Sequence, residues 1–102
     1  MDMKKMMKQA QKMQRDAALA QEEIAAMTFE ASAGGGMVKA TATGDMAITG
    51  ITIDPAAVDP EDVEMLQDMV VAAVNEALRS ASEAANARMN AVMGGMKIPG
   101  LM

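Results

Sequence analysis

A heptad of apolar residues in the first quarter of the chain constrains its fold more than any other feature. Met3, Met6, Ala10, Met13, Ala17, Ala20, Ile24 and Met27 follow one another at intervals of 3, 4, 3, 4, 3, 4 and 3 positions. That alternation keeps one edge of an α-helix apolar along its length, and a strict repeat favours packing against a second helix over capping a broad sheet. Over so short a run, an amphipathic helix laid on an ordinary core gives the same pattern. The positions between hold Lys, Gln, Arg, Glu and Ala, which are strong helix formers. Neither Gly nor Pro occurs before Gly34. The spacing predicts one helix from Met3 to about Met27, roughly 36 Å long at about 1.5 Å per residue.

From Thr28 the residues become small, β-branched and alternating, through Ala33 and again from Met37 to Thr43. Between these runs Gly34, Gly35 and Gly36 permit the positive φ that a tight hairpin needs. Gly44-Asp45 punctuates the chain once more, and Met46 to Ile53 reads as a third strand with Ile51 and Ile53 on one face. Gly50 within it weakens the strand or marks a bulge. Three short strands on short turns predict an antiparallel meander, one side of which must be covered by helix.

Asp54-Pro55 ends the strands. Asp59-Pro60-Glu61-Asp62 then reads as a helix start, with Asp59 as N-cap, Pro60 in the first turn and carboxylates at the positive dipole end. No breaker follows until Gly94-Gly95, so a second helix is expected to run about 34 residues, or about 50 Å. Val63, Leu66, Val70, Ala73, Val74, Ala77, Ala81, Ala84 and Ala85 form its apolar stripe, with Val92 farther on. Arg88 falls on the same stripe, so by that point the core has ended or the face meets something other than apolar protein. A helix of this length outreaches a compact domain and must project or meet a second chain. The expected organisation is a single α-β-β-β-α domain over residues 1–95, followed by an irregular tail over 96–102 that carries Pro99-Gly100.

Composition removes several function classes. With no Cys and no His there is no disulfide framework, zinc finger or haem ligation. The usual general base and the strongest nucleophile are absent, which argues against an enzyme. Ser80 and Ser82 have no base beside them, and Gly34 to Gly36 lack the Lys-Ser/Thr ending of a phosphate loop. The carboxylates of 54–64 do not match a calcium loop, and no cofactor or metal is expected. The longest apolar run, Met69 to Val74, is far shorter than the about 20 residues a spanning helix needs. A soluble, cytoplasmic chain without a membrane partner is the expectation.

The formal charge of −5 conceals a strong segregation. Residues 1–15 carry Lys4, Lys5, Lys8, Lys12 and Arg15 against Asp2 alone, whereas residues 16–78 hold twelve acids and one base, Lys39. Beyond lie Arg79, Arg88 and Lys97 against Glu83. On a helical wheel the five N-terminal bases fill an arc of about 100° facing away from the apolar seam. Such a face is either a solvated lysine surface or a stripe that grips duplex phosphates by displacing counterions. A lipid-binding helix ranks below both, since Trp and Phe are missing from it and its seam is built for a protein partner. Stacking on single-stranded bases is disfavoured with Phe29 as the sole aromatic.

The helix motif Met6-Met7-Lys8-Gln9-Ala10-Gln11-Lys12-Met13-Gln14, the hairpin Gly36-Met37-Val38-Lys39-Ala40-Thr41-Ala42-Thr43-Gly44 and the segment Ile51-Thr52-Ile53-Asp54-Pro55 occur in this order. With Glu64 to Ala77 and the tail Gly94-Gly95-Met96-Lys97-Ile98-Pro99-Gly100, they resemble the YbaB/EbfC family of bacterial nucleoid-associated proteins over essentially the whole chain. The resemblance implies an α+β homodimer with projecting helical arms and double-stranded DNA as partner. It implies a cytoplasmic, nucleoid-associated location and a role in nucleoid organisation, gene regulation or DNA repair beside recombination or replication proteins. Lys8 and Lys12 lie within the matched helix motif; Lys4, Lys5, Arg15, Arg79 and Arg88 join the expected DNA-binding set from their charge and position. The competing expectation is a dimeric interaction module that recruits partner helices through Met-rich arms.

Overall fold

The computed structural model describes residues 2–94. The tail expected at 96–102 lies outside the described residues. Helix α1 spans Met3–Ala26, strands β1, β2 and β3 span Thr28–Ala33, Val38–Thr43 and Ile48–Ile53, and helix α2 spans Val63–Gly94. A single 3-10 turn, Pro55–Ala57, separates β3 from α2. This is the expected α+β order of long helix, three-stranded antiparallel meander and long helix.

Helix α1 begins where the Asp2 carboxylate accepts the Lys4 N–H at 3.1 Å. It ends at Met27, whose extended backbone leads straight into β1 while its N–H donates to the Ile24 carbonyl at 3.0 Å. The β2–β3 turn presses directly on this end. Gly44 donates to the Met27 carbonyl at 3.1 Å, and a Cβ at Gly44 would stand 1.8 Å from the Ile24 oxygen. Only a glycine permits that approach.

The sheet order is β1-β2-β3, with Phe29, Ala31 and Ala33 opposite Ala42, Ala40 and Val38. Gly34, Gly35 and Gly36 all adopt positive φ in the β1–β2 turn, as their run suggests. The β2–β3 ladder slips between Thr41 and Ala42, opposite Gly50 and Ile48, so the Gly50 region forms the bulge. The third strand starts at Ile48, two residues later than the alternation indicates. Met46 sits instead at φ +68 in a turn in which its N–H donates to the Thr43 carbonyl at 3.0 Å and the Thr43 hydroxyl bonds the Asp45 carboxylate. Local side-chain bonding by Thr and Asp overrides the strand pattern there.

Helix α2 also starts later than expected. Asp59 closes a separate turn, accepting the Glu61 N–H at 2.9 Å on its carboxylate and the Asp62 N–H at 3.0 Å on its carbonyl. The N-cap is Asp62, which accepts the Met65 N–H at 3.2 Å. Both aspartates have capping chemistry, and the chain uses the second because the first is spent on the turn containing Pro60.

Ala73, Ala77 and Ala81 lie one turn apart on the buried stripe of α2 and pack on Val38, Ala40 and Ala42 of β2. Small residues on both sides let the helix lie close to β1 and β2 and leave a thin core, in which Val38 is the largest fully buried side chain. Beyond the sheet, α2 meets the second half of α1. Glu23 pairs with Arg88, and Asp16 and Leu19 share a groove with Ala91 and Val92, so the two helices run antiparallel. Few residues of α2 remain past that groove, and residues 3–15 of α1 project beyond it. The molecule measures 72 × 27 × 16 Å with a radius of gyration of 20.0 Å, against about 13 Å for a compact domain of this length.

Candidate nucleic-acid interface

The projecting half of α1 carries the five N-terminal bases. Lys4, Lys5, Lys8, Lys12 and Arg15 are all exposed, and they cover about 16 Å of helix at about 1.5 Å per residue. Lys5, Lys8 and Lys12 border one shallow depression with Gln9, and Arg15 borders another with Gln11, Gln14 and Ala18. None of the three ion pairs among the described residues involves any of these bases. Their charge is therefore open to solvent and to any anion that approaches the arm.

Arg79 and Arg88 stand elsewhere and in other company. On α2, Arg79 lies between Glu76 and Glu83 and bonds both, one helical turn away on either side. Hydrogen bonding and the charge of Glu76 raise the guanidinium pKa further above its ordinary value, and the Arg79 hydrogen bond lowers that of Glu76. Arg88 donates from Nε and Nη2 to one Glu23 oxygen at 3.0 and 2.7 Å. This answers why a base sits on the apolar stripe of α2, since the stripe there faces the acidic second half of α1. The structure thus gathers five of the seven expected residues on one arm and sets the other two in carboxylate pairs.

The charge of α1 reverses along its length. Past Arg15, the charged positions are Asp16, Glu22 and Glu23, so the basic stripe stops where the helix begins to rest on α2.

An apolar surface that sequence patterning did not single out lies at the sheet margin. Ile51 and Ile53 share the helix-facing side of the sheet with Ala40 and Val38, their register partners. Helix α2 lies over β1 and β2, and the two isoleucines remain 44% and 37% exposed. Val58 and Val63, nearby in the chain, are exposed as well. Alternation alone marks these residues as inward-facing; only the lateral position of α2 reveals that nothing within the described residues covers them.

No described helix is long and apolar enough to cross a membrane. Residues 1–96 match the YbaB/EbfC DNA-binding family. Among similar curated proteins, the nucleoid-associated protein of Pelotomaculum thermopropionicum is 55% identical over 98% of this chain and 95% of its own length. That of Acetivibrio thermocellus is 58% identical over 94% and 86%, and that of Moorella thermoacetica 57% over 97% and 95%. A solved structure, the uncharacterized protein HP0035 of Helicobacter pylori, superposes with a TM-score of 0.73 at 22% identity, over 85% of this chain and 91% of the other. At that identity the likeness speaks to the fold alone.

Proposed function

The chain belongs to the YbaB/EbfC DNA-binding family, and from this premise we propose that it is a non-enzymatic, dimeric, nucleoid-associated protein that grips duplex phosphates with the outer faces of its two α1 arms. The observation that carries the reading is the stripe of Lys4, Lys5, Lys8, Lys12 and Arg15, unpaired with carboxylate among the described residues and held on a helix that projects from the body. Exposed bases along a helix face contact backbone oxygens by charge and read no base edges, so weak sequence preference goes with this geometry. The acids of residues 16–78 keep the duplex near the arm tips. Arg79 and Arg88 take a smaller share, because each must first leave its carboxylate.

Dimerisation is supported by the deficit of the single-chain core. Its buried apolar side chains are seven alanines, Val38 and Ile24, while Ile51, Ile53, Val58 and Val63 stay exposed. Burying such side chains is worth about 1.5–3 kcal/mol each, and a two-fold partner laid against β3 supplies that burial. Location in the bacterial cytoplasm at the nucleoid, and a role in nucleoid organisation, regulation or repair, accord with what the curated relatives are called.

Fluorescence anisotropy on a short duplex at graded salt tests the grip. Each neutralised phosphate contributes about −0.9 to the slope of log affinity against log salt, so a steep negative slope is expected from two arms. Lys8→Glu/Lys12→Glu should weaken binding by at least about tenfold and flatten the slope, whereas Arg88→Ala should leave the slope nearly unchanged. Binding indifferent to salt, or a double variant as tight as the parent, would overturn the reading.

A further inference from the structure

Among the described residues, the apolar seam of α1 is covered over only half its length. Ala20 and Ile24 are buried against the body, whereas Met3, Met6 and the adjoining Met7 are 74%, 55% and 61% exposed. Ala10 is also exposed and Met13 half-buried. We infer that this uncovered stretch, Met3, Met6, Ala10 and Met13, docks the same stretch of a second copy of the chain, the two helices running antiparallel.

Three features of the molecule point to that occupant. First, the seam continues into the half of α1 that already runs beside an antiparallel helix, α2, and in which Ala20 and Ile24 are buried and Ala17 half-buried. A second helix entering the vacant half extends an existing kind of contact. Second, the spacing of the four residues is 3, 4, 3 and reads the same in both directions. An antiparallel copy therefore sets Met3 against Met13 of the other copy and Met6 against Ala10, which interleaves large with small; a parallel copy would stack Met6 on Met6 and leave a gap at the paired alanines. Third, the positions flanking the seam within the helix are Met7, Gln9 and Gln14, all uncharged, and the one charge beside its start is the capping Asp2. The bases centre about 170° around the helix from it, so the pairing does not bring lysine against lysine.

The joint spans about 15 Å of each helix at about 1.5 Å per residue, which makes it a weak contact seen at high protein concentration. Its salt dependence is opposite in sign to that of phosphate binding. Two basic arms repel across the joint, and a Debye length of about 8 Å at physiological salt screens that repulsion. If the DNA-binding reading above holds, the joint turns the two basic stripes to opposite sides, where each can hold a separate duplex and one pair of tips bridges two.

Cysteine cross-linking in the full chain tests the pairing without DNA, because the native sequence contains no Cys. The Met6→Cys and Ala10→Cys variants, mixed and treated with a mild thiol oxidant, should cross-link to each other several-fold more than either does to itself. A Lys8→Cys control on the opposite face should give only the collision background. Equal yields in the mixture and in the single variants, or yields no higher than the control, would overturn the inference. Sedimentation at rising salt adds a second measure: assembly larger than the dimer should grow in the parent chain and be lost in Met3→Gln/Met6→Gln. That variant should bind a short duplex within about twofold of the parent but no longer hold two duplexes together. Unchanged assembly, or loss of short-duplex binding in a folded variant, would overturn it too. Because the cross-link is read without DNA, its failure is distinguishable from failure of the phosphate grip.

Discussion

Residues 3–15 and 16–26 of α1 continue one heptad on one helix, yet they live in different surroundings. The second half lies on α2, buries Ala20 and Ile24, and carries acids, one of which pairs with α2. The first half has no covering element among the described residues and shows five bases. Helix formation is local and common to both halves, since propensity and the Asp2 cap supply it. Burial is not local. It depends on whether a second element lies at the right height, and α2 reaches only the second half. The difference teaches that a seam of constant pattern serves two purposes: anchoring where it is covered, and offering an arm where it is bare.

The strongest way to break this division is to detach the anchored half. Gly44→Ala forces a methyl into the Ile24 carbonyl, a backbone atom with little room to yield. A loss of about 3 kcal/mol is expected, the upper range for overpacking. Urea unfolding would measure it, and a neutral result would mean that the close approach of the turn to α1 is not needed for stability.

Truncating the seam on either side of the boundary sharpens the comparison. Ile24→Ala should cost about 2–4 kcal/mol, as buried Ile truncations do. Met6→Ala should cost under about 0.5 kcal/mol in dilute protein, as at other exposed positions. Equal losses in thermal melts would show that the projecting half is packed after all.

A smaller effect concerns the start of α2. Asp62→Ala should lower stability by about 1 kcal/mol and Asp59→Ala by less, because only Asp62 caps the helix. The reverse order would return the N-cap to Asp59.

The smallest expected effect is on pH. The pKa of Glu76 is lowered, chiefly by the Arg79 hydrogen bond. Its contribution is present above the ordinary carboxylate range and is lost as acid protonates the folded group. The pair is solvent-exposed, so only a slight loss of helical circular dichroism is expected on acidification, and Arg79→Ala should abolish that increment.

Much of this architecture was legible in the residues. The heptad gave α1 to within a residue, the glycine triplet gave the hairpin, and Gly50 marked the bulge. Where the reading missed, two local chemistries competed. Met46 fits a strand by alternation, but the Thr43–Asp45 bond draws it into a turn. Asp59 and Asp62 both qualify as caps, and only the turn at Pro60 assigns the role. The basic stripe of the candidate interface was visible as five like charges on one helix face. The carboxylate partner of Arg88 was not, because Glu23 is 65 positions away in the chain.

By itself, then, the sequence determined the elements, their order and the separation of basic arm from acidic body, because periodicity, capping and charge are properties of neighbouring residues. The tertiary structure alone decided which half of the seam is covered, that Arg88 is answered by Glu23, and that Ile51 and Ile53 stand beyond the edge of α2. Those outcomes depend on where one helix comes to rest across a sheet and beside another, and contacts between distant segments set that position.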